Sequence, residues 1–322
     1  MNLFLKSNTA VFGSVSAIIA VFCFSTNDVA IKFISNDYAL HLVILIRSLV
    51  GLTVLFLFIV PFSGGLPTLH TNRLGLHLLR GFCVVFANIT FFLGLAALPL
   101  AEGVAIFFIS PLLITVFSVL FLKEFVGPRR WLAVIVGLIG VIVVLRPGSA
   151  TFQTASLLPL LAAFGYATLH MLTRYIGKTE SAASMSFYIQ ITFLIVCLIF
   201  GVTVGDGKFS GGSDPSVEFL FRAWSWPNSD HYLILILIGA SSAFGGFFIS
   251  QAYRISEAAV VAPFEYIALP IAIFWGVIVF GDWPDKTTFV GIALILGSGL
   301  YIIWRETSLN ETETSGTPRY RR

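Results

Sequence analysis

The chain has 322 residues, 57% of them hydrophobic and 11% charged, with a formal net charge of +3. A soluble domain carries about a quarter charged residues, so this composition excludes one and points to an integral membrane protein. The positive charge lies in short connections and in the tail TPRYRR, where it reads as topological anchoring and not as a nucleic-acid surface. Cys23, Cys83 and Cys197 all fall within apolar runs, leaving neither a disulfide framework nor a spaced metal site.

Apolar runs long enough to cross about 30 Å of hydrocarbon occur at 11–35, 41–62, 74–98, 101–122, 128–146, 155–177, 182–204, 231–254, 257–280 and 285–304. The expected fold is all-α, with ten transmembrane helices. MNLFLKSNTA leads into a full-length span rather than a short core with a cleavage site, so the first helix is expected to be retained. With the N-terminus inside, the inner segments collect Lys6, Arg73, Lys123, Arg129, Arg130, Arg174, Lys178, Arg254 and Arg305, against Arg146, Lys208, Arg222 and Lys286 outside. Both ends, including the polar tail 306–322, are therefore expected in the cytoplasm. The one long connection, after the seventh span, faces outward and carries Trp224 and Trp226 for the interfacial belt.

Polar residues inside these spans stand out, because an ionised group near the bilayer centre costs at least ~2.5–3.5 kcal/mol. FCFSTNDVAIKFI in the first span carries Asn27, Asp28 and Lys32, and the second span carries Arg47. An Asp28–Arg47 ion pair is expected, since a buried pair is tolerated where a lone charge is not. Lys32 is near enough to a helix end to snorkel, and Arg80 is expected near the inner interface. Pro111 interrupts the fourth span, and the sixth holds Tyr166 and His170. The eighth holds Gln251, and the ninth reads VAPFEYIALP, with Glu265 and Tyr266 between Pro263 and Pro270. Each proline frees backbone carbonyls, which membrane helices accept where a cavity or neighbour satisfies them. Glu265 is the leading candidate for substrate contact or proton coupling, with Asp28, Asn27, His170, Tyr266 and Gln251 as further polar candidates. Phe24, Phe107, Phe108, Tyr166, Phe264 and Tyr266 are the candidates for stacking on a ring.

The chain repeats itself. AVFCFSTNDVAIKFI at 20–34 aligns without a gap on AAFGYATLHMLTRYI at 162–176, placing Phe24 on Tyr166 and Asp28 on His170. Phe91, Phe92 and Ala96 match Phe247, Phe248 and Ala252. Two units of five helices follow, 11–146 and 155–305. Five is odd, so the second unit enters the membrane from the opposite side, as in the inverted repeats of secondary transporters.

These two halves, with LPLAEGVAIFFISPLLITVFSVLFLKE and its partner ISEAAVVAPFEYIALPIAIFWGVIVFGDWPD, resemble the paired EamA repeats of the drug/metabolite transporter superfamily. The resemblance implies a bacterial-type inner-membrane carrier with cytoplasmic ends, a small-molecule substrate and a central site between helices one, three, four, six, eight and nine. FSTNDVAIKFIS is similar to the first helix of members that move riboflavin or S-adenosylmethionine. The expected substrate is a planar, ring-containing metabolite: riboflavin uptake first, then S-adenosylmethionine, then export of amino acids or drugs. A lipid flippase is the alternative from another class. P-loop, dinucleotide, nucleophile-elbow and HExxH patterns are absent from the sequence, so neither an enzyme nor a cofactor is expected. The lipid bilayer and protons are the expected partners; oligomeric state is left open.

Overall fold

The structure, a computed structural model, describes residues 2–123, 127–149, 152–256 and 261–314; side chains are described within 11–301, except at 122, 130, 262 and 263. Every regular element among the described residues is helical. The first half comprises α1 (Asn2–Phe33), α2 (Leu40–Val54), α3 (Leu74–Ala97), α4 (Leu100–Phe107), α5 (Ser110–Leu122) and α6 (Pro128–Leu145). The second comprises α7 (Leu157–Ile176), α8 (Ala182–Val204), the short α9 (Pro215–Phe221), α10 (Tyr232–Ile255), α11 (Ala268–Trp275) and α12 (Lys286–Thr314). Seven stretches are long and apolar enough to cross a membrane, and three shorter apolar helices, Trp131–Leu145, Phe264–Phe280 and Lys286–Tyr301, accompany them. Each falls on one of the apolar runs of the sequence. Within the ninth run a 3₁₀ segment, Ala262–Ile267, precedes α11.

Packing joins the two halves throughout. α1 lies along α10, α3 along α7, α2 between α8 and α10, and α6 along α12. Lipid tails are as apolar as leucine, so close backbone approach has to hold such helices together. Gly140 and Gly291 show it: a Cβ on Gly140 would stand 2.8 Å from the Gly291 carbonyl oxygen, and the reverse distance is also 2.8 Å. Outward faces carry Phe12, Leu132, Ile199, Val202 and Ile278, all exposed; water would penalise such a surface and hydrocarbon does not.

The long connection before α10 is tied down. Asp214 caps α9 by accepting the Ser216 and Val217 backbone N–H groups at 2.8 and 3.2 Å. Ser216 Oγ donates to the Leu93 carbonyl at 2.7 Å, and Arg222 Nη1 to that of Ser35 at 2.8 Å. The segment thereby closes over the ends of α1 and α3. Within it, Trp226 is 87% exposed.

Two basic residues find partners at helix ends or between helices. The Lys32 ammonium donates to the carbonyls of Leu95 and Leu98 at 2.7 and 2.6 Å. These sit where α3 ends and its last carbonyls lack helical partners, a position that favours a cation. Arg80 is buried, its Nε donating to Thr173 Oγ1 at 3.0 Å. It links α3 to α7 near the end of α7.

Candidate functional site

Two interrupted helices build the site. In the first half α4 stops at Phe107, and Phe108 and Ile109 form a turn, with the Ile109 N–H bonded to the Ile106 carbonyl at 3.2 Å. α5 then starts with Pro111 in its first turn, where a missing N–H removes no helical bond. In the second half the 3₁₀ segment Ala262–Ile267 precedes α11, and Pro270 is the third residue of that helix. Pro263 lies in the 3₁₀ backbone; its side chain is outside the described residues. Proline thus opens a helix just after a break in both halves, and each break turns side chains that a continuous helix would pack into its neighbours.

Between the breaks lies a small cavity of about 60 Å³, narrower than the sites that enclose whole small molecules, so the site stands largely closed. α1 contributes Phe24, Ser25 and Asp28, α3 contributes Phe91, and α4 with its following turn contributes Phe107 and Phe108. Tyr166 of α7 and Glu265 close the far side. The aromatic walls are continuous: Phe107 stands 4.8 Å from Phe91 and 5.1 Å from Tyr166, between ring centroids. Among the described lining residues the charged groups are both acidic, Asp28 and Glu265.

Glu265 is held by two phenols. Tyr166 donates to its Oε2 at 2.8 Å, and Tyr253 of α10 donates to its Oε1. The carboxyl therefore connects the 3₁₀ segment to both α7 and α10, and a change in its charge or partners acts on both. His170 is buried between these tyrosines, 4.2 Å from the Tyr166 ring and 4.0 Å from the Tyr253 ring, with neither ring nitrogen hydrogen-bonded.

Of the residues singled out from sequence, the structure brings Phe24, Asp28, Tyr166 and Glu265 together on the cavity, with Phe107 and Phe108. Asn27 is buried beside it and donates from Nδ2 to Asp28 Oδ1 at 3.2 Å. Asn27, His170, Phe264, Tyr266 and Gln251 are not part of the wall. Tyr266 is buried against Phe108, and its ring fills the space a Cβ on Gly299 would take. Gln251 accepts from Arg254 Nε at 3.2 Å, one turn along its own helix, which draws its amide to the helix end.

The expected Asp28–Arg47 ion pair is not formed: among the described residues the ion pairs within 4.0 Å do not include it. Arg47 turns instead to α3 and α8, donating from Nη1 to Asn88 Oδ1 at 2.9 Å and lying 4.5 Å over the Phe193 ring. Asp28 faces the cavity on the other side. Sequence reasoning missed Tyr253. It lies at 0% exposure two residues beyond Gln251, and the signal available was a tyrosine within the turn of the helix already marked as polar.

The chain was compared with known proteins. The model of the EamA-like transporter family matches residues 11–146 and again 153–304. An S-adenosylmethionine uptake transporter of Rickettsia conorii is 29% identical over 282 residues, covering 88% of this chain and 89% of that protein. A riboflavin transporter of Brucella anthropi is 32% identical over 249 residues, covering 77% and 83%. A riboflavin transporter of Vibrio cholerae is 31% identical over 248 residues, covering 76% and 77%. A solved crystal structure at 16% identity superposes with a TM-score of 0.69 over 92% of this chain and 98% of its own, a likeness of fold alone.

Proposed function

The chain belongs to the EamA-like transporter family, and from that premise we propose that it is an alternating-access carrier for a positively charged, ring-bearing metabolite. That it is a multi-pass membrane transporter and not an enzyme follows from the family. The observation that carries the substrate reading is the charge of the cavity: two carboxylates, Asp28 and Glu265, on aromatic walls, with no Lys or Arg among the described lining residues. A cation gains from both features, by ion pairing in a low-dielectric site and by attraction to ring faces. The names of the relatives offer two candidates. S-adenosylmethionine carries a sulfonium charge beside a purine; riboflavin carries a flat ring and no charge. The charge of the cavity supports S-adenosylmethionine as the first reading, which reverses the order expected from the sequence. Riboflavin is the second reading, favoured by the ring wall of Phe91, Phe107 and Tyr166.

The carrier works as two inverted five-helix units, 11–146 and 155–305, making ten spans. Exchange of the units turns the α1–α10 contact into the α7–α3 contact and maps the α2–α8 and α6–α12 contacts onto themselves, which is the packing observed. Repeat mates Phe24 and Tyr166 both face the cavity, as a site at the junction of such units requires. Both termini lie in the cytoplasm and the membrane is the bacterial inner membrane.

Transport follows from Glu265. Ionised, it accepts from Tyr166 and Tyr253 and offers its charge to the substrate; protonated, it gives up that attraction. Substrate and proton then compete for one carboxyl, and the two tyrosines carry its state to α7 and α10. The test is uptake of radiolabelled S-adenosylmethionine and, separately, riboflavin into liposomes carrying the purified protein. Saturable uptake of S-adenosylmethionine resistant to excess riboflavin is expected. Saturable uptake of riboflavin alone would overturn the charge argument.

A further inference from the structure

Arg47 has no adequate partner. It is 2% exposed, yet only Nη1 is hydrogen-bonded, to Asn88; Nε and Nη2 have no partner. The rings of Phe193 and Phe92, at 4.5 and 6.0 Å from its guanidinium carbon, compensate some of the charge. They accept no hydrogen bond in the plane where the two free donors point. Leaving a buried charge without its counter-charge is strongly destabilising, and guanidinium is the side chain best shaped for a carboxylate, through two parallel N–H donors.

The opposite charge stands nearby. Asp28 and Arg47 lie close enough to attract one another electrostatically, but they are not within ion-pair distance. Asp28 faces the cavity, and Asn27 beside it holds a second unsatisfied group, a buried Oδ1 with no donor. The vicinity thus offers two free donors on a cation and, across a gap, a carboxylate with a free amide oxygen. An α-amino-acid head has the matching polarity, with an ammonium for Asp28 and Asn27 and a carboxylate for Arg47.

We propose that Arg47 is a specificity residue that takes the carboxylate of an α-amino-acid head on the substrate, while Asp28 and Asn27 take its ammonium. This rests on the carrier reading above and deepens it. The ring-bearing part of the substrate lies against the aromatic wall once the small cavity there widens, and the head reaches past Asp28 toward α2. In the structure Arg47 is closed off, so the head is engaged once α2 and α3 part from α8. A substrate without this head leaves the guanidinium unpaired and is disfavoured.

Binding separates this inference from the carrier reading. Affinities of the purified protein in detergent are measured by calorimetry for S-adenosylmethionine, its decarboxylated form, L-methionine and riboflavin. Loss of a charge-assisted bidentate contact costs roughly ten- to a hundredfold in affinity. S-adenosylmethionine is therefore expected to bind more tightly than its decarboxylated form by about that factor. In Arg47→Gln the gap is expected to shrink to about threefold or less, and Arg47→Lys, which keeps charge without the fork, falls between. The ligand pair tests the unmodified protein, so the answer does not hang on whether a variant folds. Equal affinity for the pair would overturn the amino-acid head and leave the cationic-ring reading standing. Binding of riboflavin alone would overturn the head and the charge argument together. Binding of L-methionine that Arg47→Gln abolishes, without adenosyl compounds binding, would support the head and overturn the ring reading. If none of the four binds, both fall.

Discussion

At the scale of single residues, the proposed proton exchange rests on Glu265 and its two phenols. Removing its charge with Glu265→Gln keeps the shape of the side chain but leaves one acceptor oxygen where Tyr166 and Tyr253 now find two, the other position becoming an NH₂ donor. Uptake driven by a pH gradient is expected to fall at least about tenfold, the scale of one charged contact, and to lose its pH dependence, as read by initial rates in liposomes across pH 6–8. Tyr253→Phe removes one donor from a buried carboxylate, so an intermediate loss is expected in the same assay. Glu265 was legible in the sequence because a carboxylate between two prolines has few structural uses inside a membrane. Tyr253 was not legible as its partner, because that relation runs between α10 and the segment before α11 and leaves no trace in local spacing. The Asp28–Arg47 pair failed for a similar reason: depth along two helices could be estimated, but which way each side chain turns is set by α3 and α8.

Breaks, caps and close crossings decide the shapes of the elements. Lys32 caps α3 through Leu95 and Leu98; Lys32→Ala leaves those carbonyls without a cation, and thermal unfolding in detergent is expected to show a loss of about 1–3 kcal/mol. Gly140→Val puts branched carbons against the Gly291 carbonyl, and a similar or larger loss is expected, visible as a lower midpoint and poorer recovery of folded protein. Asp285 lies outside the helices, just before α12. Its carboxyl is held well below the usual range by hydrogen bonds from the Arg146 guanidinium and the Thr288 backbone N–H. A depressed carboxyl stabilises the fold above its unfolded value, about 3.9, and loses that contribution as pH falls through the folded one. The pair is largely exposed, so Asp285→Asn is expected to cost less than about 1 kcal/mol at pH 7, and less still at pH 3, by comparison of unfolding midpoints. The all-helical class and the placing of the apolar stretches could be read from hydropathy alone. The 3₁₀ opening at Ala262–Ile267 could be suspected from Pro263 and Pro270, but its length could not, because backbone pairing there depends on what α7 and α10 offer.

The whole molecule is best understood through its pairing of halves. The family model matches each half separately, and contacts between helices follow the exchange of one half for the other. The gapless match of 20–34 with 162–176 already pointed to this. It did not tell that Phe24 and Tyr166 meet across a cavity, since the relative rotation of α1 and α7 is fixed by α10 and α3. Nor could it weigh charge at the site: Asp28 and Glu265 belong to different halves and become one acidic wall only when folded. That acidic wall is the central claim, and Asp28→Asn tests it most directly. Liposomes carrying the wild-type protein or this variant would be loaded with buffer and their uptake of radiolabelled S-adenosylmethionine measured under a fixed pH gradient. The account predicts saturable uptake by the wild type, and a rise in KM of about tenfold or more for the variant at equal protein content. Unchanged KM in Asp28→Asn, with uptake otherwise intact, would contradict it.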